Sequence, residues 1–213
     1  PASRLGSAAS GSARWAGSIG DATLPANRGA LAVRPEIRNM TDSTAAETLA
    51  ELRTVADYQF GAGAGTALFP PDSCSALTIH RSTGGRPRQV VASAGRVVSY
   101  GTDGRFTLGL EGGRRLLAAF DPPRNRVAVG AESEPFVRDG KNAFAKFVRE
   151  VDPAVRPGDE VAVVLGDDAL LAVGRAELSA DAMRDFESGA AVYVRAGNET
   201  DDGATDQHPS GDE

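Results

Sequence analysis

Apolar positions Ala45, Leu49, Leu52, Val55 and Ala56 recur at helical spacing, and Thr44-Ala45-Ala46-Glu47 before them has the order of a capping box. The pattern predicts a helix from Thr44 to about Tyr58. The glycine-rich Gly61-Ala62-Gly63-Ala64-Gly65 follows, then Leu68-Phe69 and the stop Pro70-Pro71. From there the period shortens. β-leaning runs at 76–80, 89–92 and 96–100 are separated by turn clusters such as Thr83-Gly84-Gly85. Asp103-Gly104 is a hairpin signal with a returning strand at 105–110, and 113–120 reads as a short helix closed by Asp121-Pro122-Pro123. Beyond the prolines, a strand-like run at 126–129 precedes the segment 136–148. The turn Arg156-Pro157-Gly158-Asp159 leads into buried strands at 160–165 and 170–175, joined at Gly166-Asp167-Asp168. Ser179 caps a short helix through Phe186, and 190–194 returns as a strand. The fold class is therefore α+β: a small α+β unit at 43–122, then a β-rich unit with short helices at 123–197.

Charge is unevenly spread over the 213 residues, whose formal net charge is −6. Residues 1–39 carry five Arg against Asp21 and Glu36, whereas 198–213 carry six acids and no Lys or Arg. The first segment reads as an extension outside the fold or as upstream translation, with a transit-like peptide as the alternative, and the second as a disordered acidic tail. Between them the chain is close to neutral, so a local basic face is compatible with the acidic total. Lysine is confined to Lys141 and Lys146, against 21 Arg, a balance typical of a salt-adapted proteome. In ~1 M salt the Debye length is ~3 Å, so recognition there would depend on direct contact and shape. Cys74 is the single cysteine, which excludes an intrachain disulfide and a multi-cysteine zinc site and points to a reducing cytoplasm. No apolar run reaches the ~20 residues needed to span a bilayer.

Candidate chemistry concentrates in one loop. Lys141 and Lys146 lie within eight residues of each other beside Arg138 and Arg149, and Gly140 permits a backbone turn that brings N–H groups close to a bulky partner. The plain alternative is a helix with solvated basic side chains. A second candidate is Arg81, Arg86 and Arg88, in a window without an acid between Asp72 and Asp103. It reads equally as a phosphate-tracking face or as a solvated hairpin tip. The glycines at 61–65 lack the Gly-Lys-Ser/Thr ending of a phosphate loop and read as a connector. Cys74 with His80 reads as an unreactive thiol, Asp167-Asp168 as a turn, and Tyr58 and Gln59 as packing residues or RNA contacts. Nothing here forms a catalytic constellation or demands a cofactor.

The order of elements from 126 to 195 resembles a PUA domain, a small β-barrel that binds structured RNA. The resemblance implies an RNA-facing surface made by Arg138, Gly140, Lys141, Asn142, Lys146 and Phe147, with Tyr193 and Arg195 on the last strand. Many PUA domains read Pro-Gly-Val where this chain has Lys146-Phe147-Val148, which leaves Phe147 open between contact and core. Upstream, the run from Leu52 to Gly61, Leu68-Phe69-Pro70, Gly85-Arg86-Pro87-Arg88 and Asp103-Gly104-Arg105-Phe106 resemble the pre-PUA region of archaeal tRNA-guanine transglycosylase and archaeosine synthase. That likeness implies a partner, tRNA gripped at its acceptor stem and 3′ end, without the catalytic barrel. Three expectations follow: a cytoplasmic RNA-binding protein that is not itself an enzyme; the RNA-binding subunit of a split tRNA-modifying transglycosylase; or, third, a non-RNA interaction module.

Overall fold

The computed structural model describes the backbone of residues 35–199 and the side chains of 44–72 and 76–199. Of the extension expected at 1–39 and the acidic tail expected at 198–213, residues 1–34 and 200–213, His208 included, lie outside the described residues, as does the Cys74 side chain; residues 35–39 are helical and the Asn198 N–H donates to the Leu171 carbonyl at 2.7 Å.

The first helix, α1 (Pro35–Phe60), starts nine residues before the expected cap. No Pro or Gly interrupts 36–58, so the helix continues upstream to Pro35, a residue suited to a first turn. Thr44 is thus inside the helix, where its carbonyl accepts from Thr48 Oγ1 at 2.8 Å, and the boundary expected at 43 falls within an element. The apolar stripe holds: Leu49, Leu52, Ala56 and Phe60 are buried. The glycine run is a connector into α2 (Ala64–Leu68), with Gly61 and Gly63 both at φ 94°. Gly65 packs on the backbone of Arg53, 2.5 Å from where a Cβ would stand, and donates its N–H to Asp57 at 2.7 Å.

After a 3-10 turn, four strands form an antiparallel meander in the order β1 (Leu77–Arg81), β2 (Pro87–Ala92), β3 (Gly95–Tyr100) and β4 (Phe106–Leu108). The Asp103-Gly104 signal makes the β3–β4 turn, with Gly104 at φ 78°. Gln59 settles as a structural residue. It donates to the Phe106 carbonyl at 2.8 Å and accepts from the Phe106 N–H at 2.7 Å, so its amide pairs with β4 as a strand would. Helix α3 (Leu110–Ala119) begins at Leu110, ahead of the predicted 113. Its two glycines explain the tolerance: a Cβ on Gly112 would strike the Val97 carbonyl, and one on Gly113 would stand 2.7 Å from Val173.

A cis Pro122–Pro123 bond leads into the second unit. It comprises β5 (Arg126–Val129), α4 (Glu134–Arg138), β6 (Ala143–Phe144), β7 (Val148–Val151), β8 (Glu160–Val164), β9 (Leu170–Ala176), α5 (Ala180–Asp185) and β10 (Ala190–Gly197). Ser179 caps α5 as its sequence suggests, accepting from the Ala182 N–H at 3.3 Å. The sheet order is β6-β10-β9-β8-β5-β7, with β5 and β8 parallel and the other pairs antiparallel. The two edge strands, β6 and β7, are joined by a single 3-10 turn over Ala145–Phe147, so the sheet must curl until its edges approach. The result is a near-barrel with short helices.

The walls of the two units are shared. Alternate residues of β8 belong to different cores: Val161 and Val163 fill the barrel, while Ala162 and Val164 join the core of the first unit. Leu170 and Val173 of β9 also face the first unit. Each valine so buried contributes roughly 1.5–3 kcal/mol relative to exposure.

Arg126 seals this junction. Only 3 % exposed, it holds Asp168 through two bonds of 2.6 and 2.9 Å and donates to the carbonyls of Arg124, Leu117 and Phe120. Leu117 and Phe120 end α3, so a cation from the barrel caps the helix of the other unit, at the negative end of its dipole. Asp168 sits at φ 68° in the β8–β9 turn, a conformation that Asp tolerates. Arg126→Ala should lower stability by about 3–5 kcal/mol, since it strands an acid and three carbonyls at a buried junction. Asp168→Asn keeps the turn and an acceptor on a group one-third exposed, and should cost about 1 kcal/mol. Urea midpoints of the two variants check the order; equal losses would refute the capping role.

Candidate functional site

Helix α4 closes tightly: the Asp139 N–H donates to the Pro135 carbonyl, Gly140 to Val137 and Lys141 to Phe136. Gly140 takes φ 80° with open space where a Cβ would stand, as a backbone presented to a partner requires. Asn142 is tied to the last strand, its Oδ1 accepting from the Val194 N–H at 3.1 Å. The end of β10 lies against the loop as well, since a Cβ on Gly197 would collide with the Arg138 carbonyl and stand 2.8 Å from the Gly140 nitrogen. So fixed, the loop borders a groove of about 410 Å³ lined by Ser133, Phe136, Val137, Lys141, Asn142, Phe144 and Phe147.

The groove is apolar at its sides and basic at its rim. Phe136 is 62 % exposed and Phe144 44 % exposed, unusual for rings that could have been turned into a core. Lys141 stands in solvent, 3.5 Å from Asp139. Lys146 lies over the Phe147 ring, 4.7 Å from its centroid, and Phe147 itself is half-buried at the groove wall. Lys141, Asn142 and Phe147 therefore come together, with Lys146 alongside. Phe136 and Phe144 are additions that sequence reasoning missed, although both stand in the segment it singled out. Aromatic residues in a loop beside lysines were the available signal; periodicity gave no way to tell a ring in solvent from one in a core.

Other expected residues are placed elsewhere. The Arg138 guanidinium is used within the fold, bonded to Glu134 at 2.9 Å and to the carbonyls of Leu170 and Asn198. Tyr193 is exposed on β10, opposite Arg175 in register. Arg195 pairs with Glu160 at 3.0 Å and belongs to a separate depression of about 210 Å³, with Arg105 and Arg175. There, each cation has an acid: Arg105 holds Asp159 at 3.2 Å and Arg175 holds Glu177 at 2.6 Å. In the first unit, Arg81 donates to the Gly85 carbonyl and to Thr48 Oγ1, bracing its own hairpin against α1. Arg86 and Arg88 are exposed around a third depression of about 310 Å³. Of the eleven residues, Gly140, Lys141, Asn142, Lys146 and Phe147 gather at the loop groove, Arg195 and the pair Arg86 and Arg88 stand at two other depressions, and Arg138, Tyr193 and Arg81 line none of the three.

Residues 50–123 match the patch-forming domain C2 of tRNA-guanine transglycosylase, and residues 125–197 match the PUA domain. The chain carries a C2 domain followed by a PUA domain. It is 45 % identical over 156 residues to the tRNA-guanine(15) transglycosylase of Methanothermobacter thermautotrophicus, covering 72 % of this chain and 23 % of that protein. Against the enzyme of the same name from Thermococcus kodakarensis it is 44 % identical over 146 residues, covering 68 % and 24 %. The chain spans about a quarter of the length of these curated relatives. Among solved structures, a hypothetical protein from Pyrococcus horikoshii superposes with a TM-score of 0.57 at 17 % identity, covering 73 % of this chain and 93 % of that one. That likeness speaks for the fold.

Among the described residues, no group of three or more His, Cys, Asp and Glu could hold a metal ion, and no helix is long and apolar enough to cross a membrane. The buried acid Glu160 joins the two domains: its Oε2 accepts from the Leu108 N–H of β4 at 3.0 Å, while Oε1 meets Arg195. Burial pushes its carboxyl above the ordinary value, opposed by the Leu108 N–H and by Arg195. A carboxyl raised in the folded state stabilises the fold most below its unfolded value, and that contribution is lost as pH rises through the folded one. The stability difference between the parent chain and Glu160→Gln should therefore shift against the parent as pH rises from about 4 toward 7. Urea midpoints stepped through that range test it; a difference that does not change with pH would contradict it.

Proposed function

We propose that this chain binds structured RNA, tRNA in the first place, through the groove of its PUA domain. The observation that carries the proposal is the pair of solvent-facing rings, Phe136 and Phe144, beneath a lysine rim at Lys141 and Lys146. An unstacked base gains about 1–3 kcal/mol on an aromatic face, and lysines at the rim can meet the adjoining phosphates as point charges. The turned-out Gly140 backbone adds a close approach for ribose or phosphate oxygens. Recognition by backbone and shape suits a folded RNA, whose deep major groove is closed to side chains. The reading rests on the loop; Arg138 and Arg195 already have partners and contribute position more than free charge.

A second reading is favoured by the 44–45 % identity to tRNA-guanine(15) transglycosylases. Here the chain supplies the tRNA grip of a tRNA-modifying enzyme, archaeosine formation included, and chemistry is done by a catalytic barrel on another chain. A cytoplasmic place accompanies either reading, and a salt-rich cytoplasm fits the near-absence of lysine.

The test is binding of the full chain to folded tRNA, with and without its 3′ CCA, across a salt series. Lys141→Glu with Lys146→Glu should weaken binding about tenfold or more while leaving the circular dichroism unchanged. Phe144→Ala should weaken binding about tenfold through lost stacking. Tight binding that falls without CCA supports acceptor-end recognition. Equal affinity of the double variant and the parent chain would sink the groove as the contact surface, and absence of any binding at low salt would leave an interaction module of another kind.

A further inference from the structure

Strand β10 carries the chain to the groove before it leaves the fold. Gly197 lies so close to the loop after α4 that a Cβ there would stand 2.8 Å from the Gly140 nitrogen. One residue on, Asn198 is held on all sides. Its N–H donates to the Leu171 carbonyl at 2.7 Å and its Nδ2 to the Leu170 carbonyl at 2.9 Å. Its Oδ1 accepts from Arg114 at 2.7 Å and its carbonyl from Arg138 at 3.2 Å. Arg138 ends α4, so the exit of the chain is fixed to the element that presents Gly140 and Lys141. Glu199, beyond it, is exposed.

Residues 200–213, which lie outside the described residues, carry Asp201, Asp202, Asp206, Asp212 and Glu213, with no Lys or Arg and no Phe, Tyr or Trp. Covalent geometry sets how far these charges extend. Asp202 follows Gly197 by a contour of at most ~18 Å, and Asp206 by at most ~32 Å. The lysines of the groove fall inside that range: Lys141 adjoins Gly140, and Lys146 is at most ~22 Å of chain away from it. A tether of this length holds its carboxylates at an effective concentration on the order of 1 mM. The rim is open to them. Among the described residues Lys146 holds no acid and lies over the Phe147 ring. Lys141 has Asp139 at 3.5 Å, both side chains about two-thirds exposed, a pair worth little in water. The arginines at the exit are engaged, Arg114 with Glu111 and Asn198, Arg138 with Glu134.

We propose that residues 200–213 occupy the lysine rim of the PUA groove when no RNA is bound, as a tethered polyanion that an RNA must displace. The carboxylates meet Lys141 and Lys146, but without a Phe, Tyr or Trp the segment offers the faces of Phe136 and Phe144 no stacking partner. Discrimination follows from that difference. A polyanion that brings charge alone has no advantage over the acidic segment, whereas an RNA with an unstacked base adds contact with the rings. Because screening shortens with salt, the hold of the segment falls as ionic strength rises. The displacement half of the proposal rests on the RNA-binding reading; the contact between segment and rim does not.

The test compares the parent chain with a full-length variant whose segment is neutral: Asp201→Asn, Asp202→Asn, Asp206→Asn, Asp212→Asn and Glu213→Gln. Without RNA, the backbone amide resonances of Gly140, Lys141, Phe144 and Phe147 should differ between the two chains at low salt. That difference should shrink as salt approaches ~1 M, where the screening length is ~3 Å. Identical groove resonances at low salt, or differences confined to other surfaces such as Arg86 and Arg88, would overturn the contact. With folded tRNA, the neutral variant should bind about twofold to tenfold more tightly at low salt, since a larger fraction of the free protein is competent to bind. Lys141→Glu with Lys146→Glu should abolish that gain. Equal affinity of the parent and neutral chains, or a gain that survives the lysine changes, would overturn the displacement. Groove resonances that differ while neither chain binds tRNA would uphold the contact and overturn the RNA-binding reading.

Discussion

Burial of β8 and β9 on both faces is the constraint from which the rest of this structure follows. A strand that fills one core needs alternation; a strand that separates two cores must be apolar throughout, and Val161-Ala162-Val163-Val164 is. Because Ala162, Val164, Leu170 and Val173 complete the core of the C2 domain, neither domain can move off the other without exposing apolar wall. Gly113 allows α3 to reach Val173 closely enough for that wall to be continuous. The polar groups at its margin are consistent with this: Arg126 caps the end of α3 from the PUA side, and Glu160 holds the Leu108 N–H from the same side. Both anchor C2 with side chains that the barrel supplies.

The same rigidity gives the surface features their meaning. On two loosely tethered domains the groove of exposed aromatics and the hairpin of arginines would have no fixed separation; the shared core fixes it. Edge closure of the barrel by the turn at Ala145–Phe147 has a related effect: it sets Lys146 and Phe147 at the mouth of the groove, since the turn joining the edges is also the turn lining it.

Charge in this protein is arranged by pairing more than by number. Basic and acidic residues are close to balanced between 40 and 197, and ten of the described cations hold an acid. Exposed pairs of this kind contribute little to stability, about 0–1 kcal/mol each, but they remove cations from the pool available to a polyanion. Among the described residues, the exposed cations without an acid are Lys146, Arg81, Arg86, Arg88 and Arg156, and of these Arg81 and Arg156 donate to backbone carbonyls. In strong salt such contacts act only at short range, so their placement beside a ring or in a formed depression counts for more than net charge.

Periodicity and turn chemistry determined most of the secondary structure, because both act over a few residues. The apolar stripe of α1, the Asp103-Gly104 hairpin, the Ser179 cap and the positive φ at Gly140 could all be read locally. The family likeness could be read too, as an order of such elements. Local signals misplaced the start of α1, since a capping box fixes a terminus only when nothing helical precedes it. They also missed the opening of α3, where two glycines look unhelical until Val97 and Val173 are seen against them. The site was legible as a loop but not as a surface. Which arginine is left for a partner depends on acids 35 residues away for Arg195 and 42 for Arg126, and which phenylalanine stands in solvent depends on how the barrel closes. Those are contacts between distant parts of the chain, and only the tertiary structure decides them.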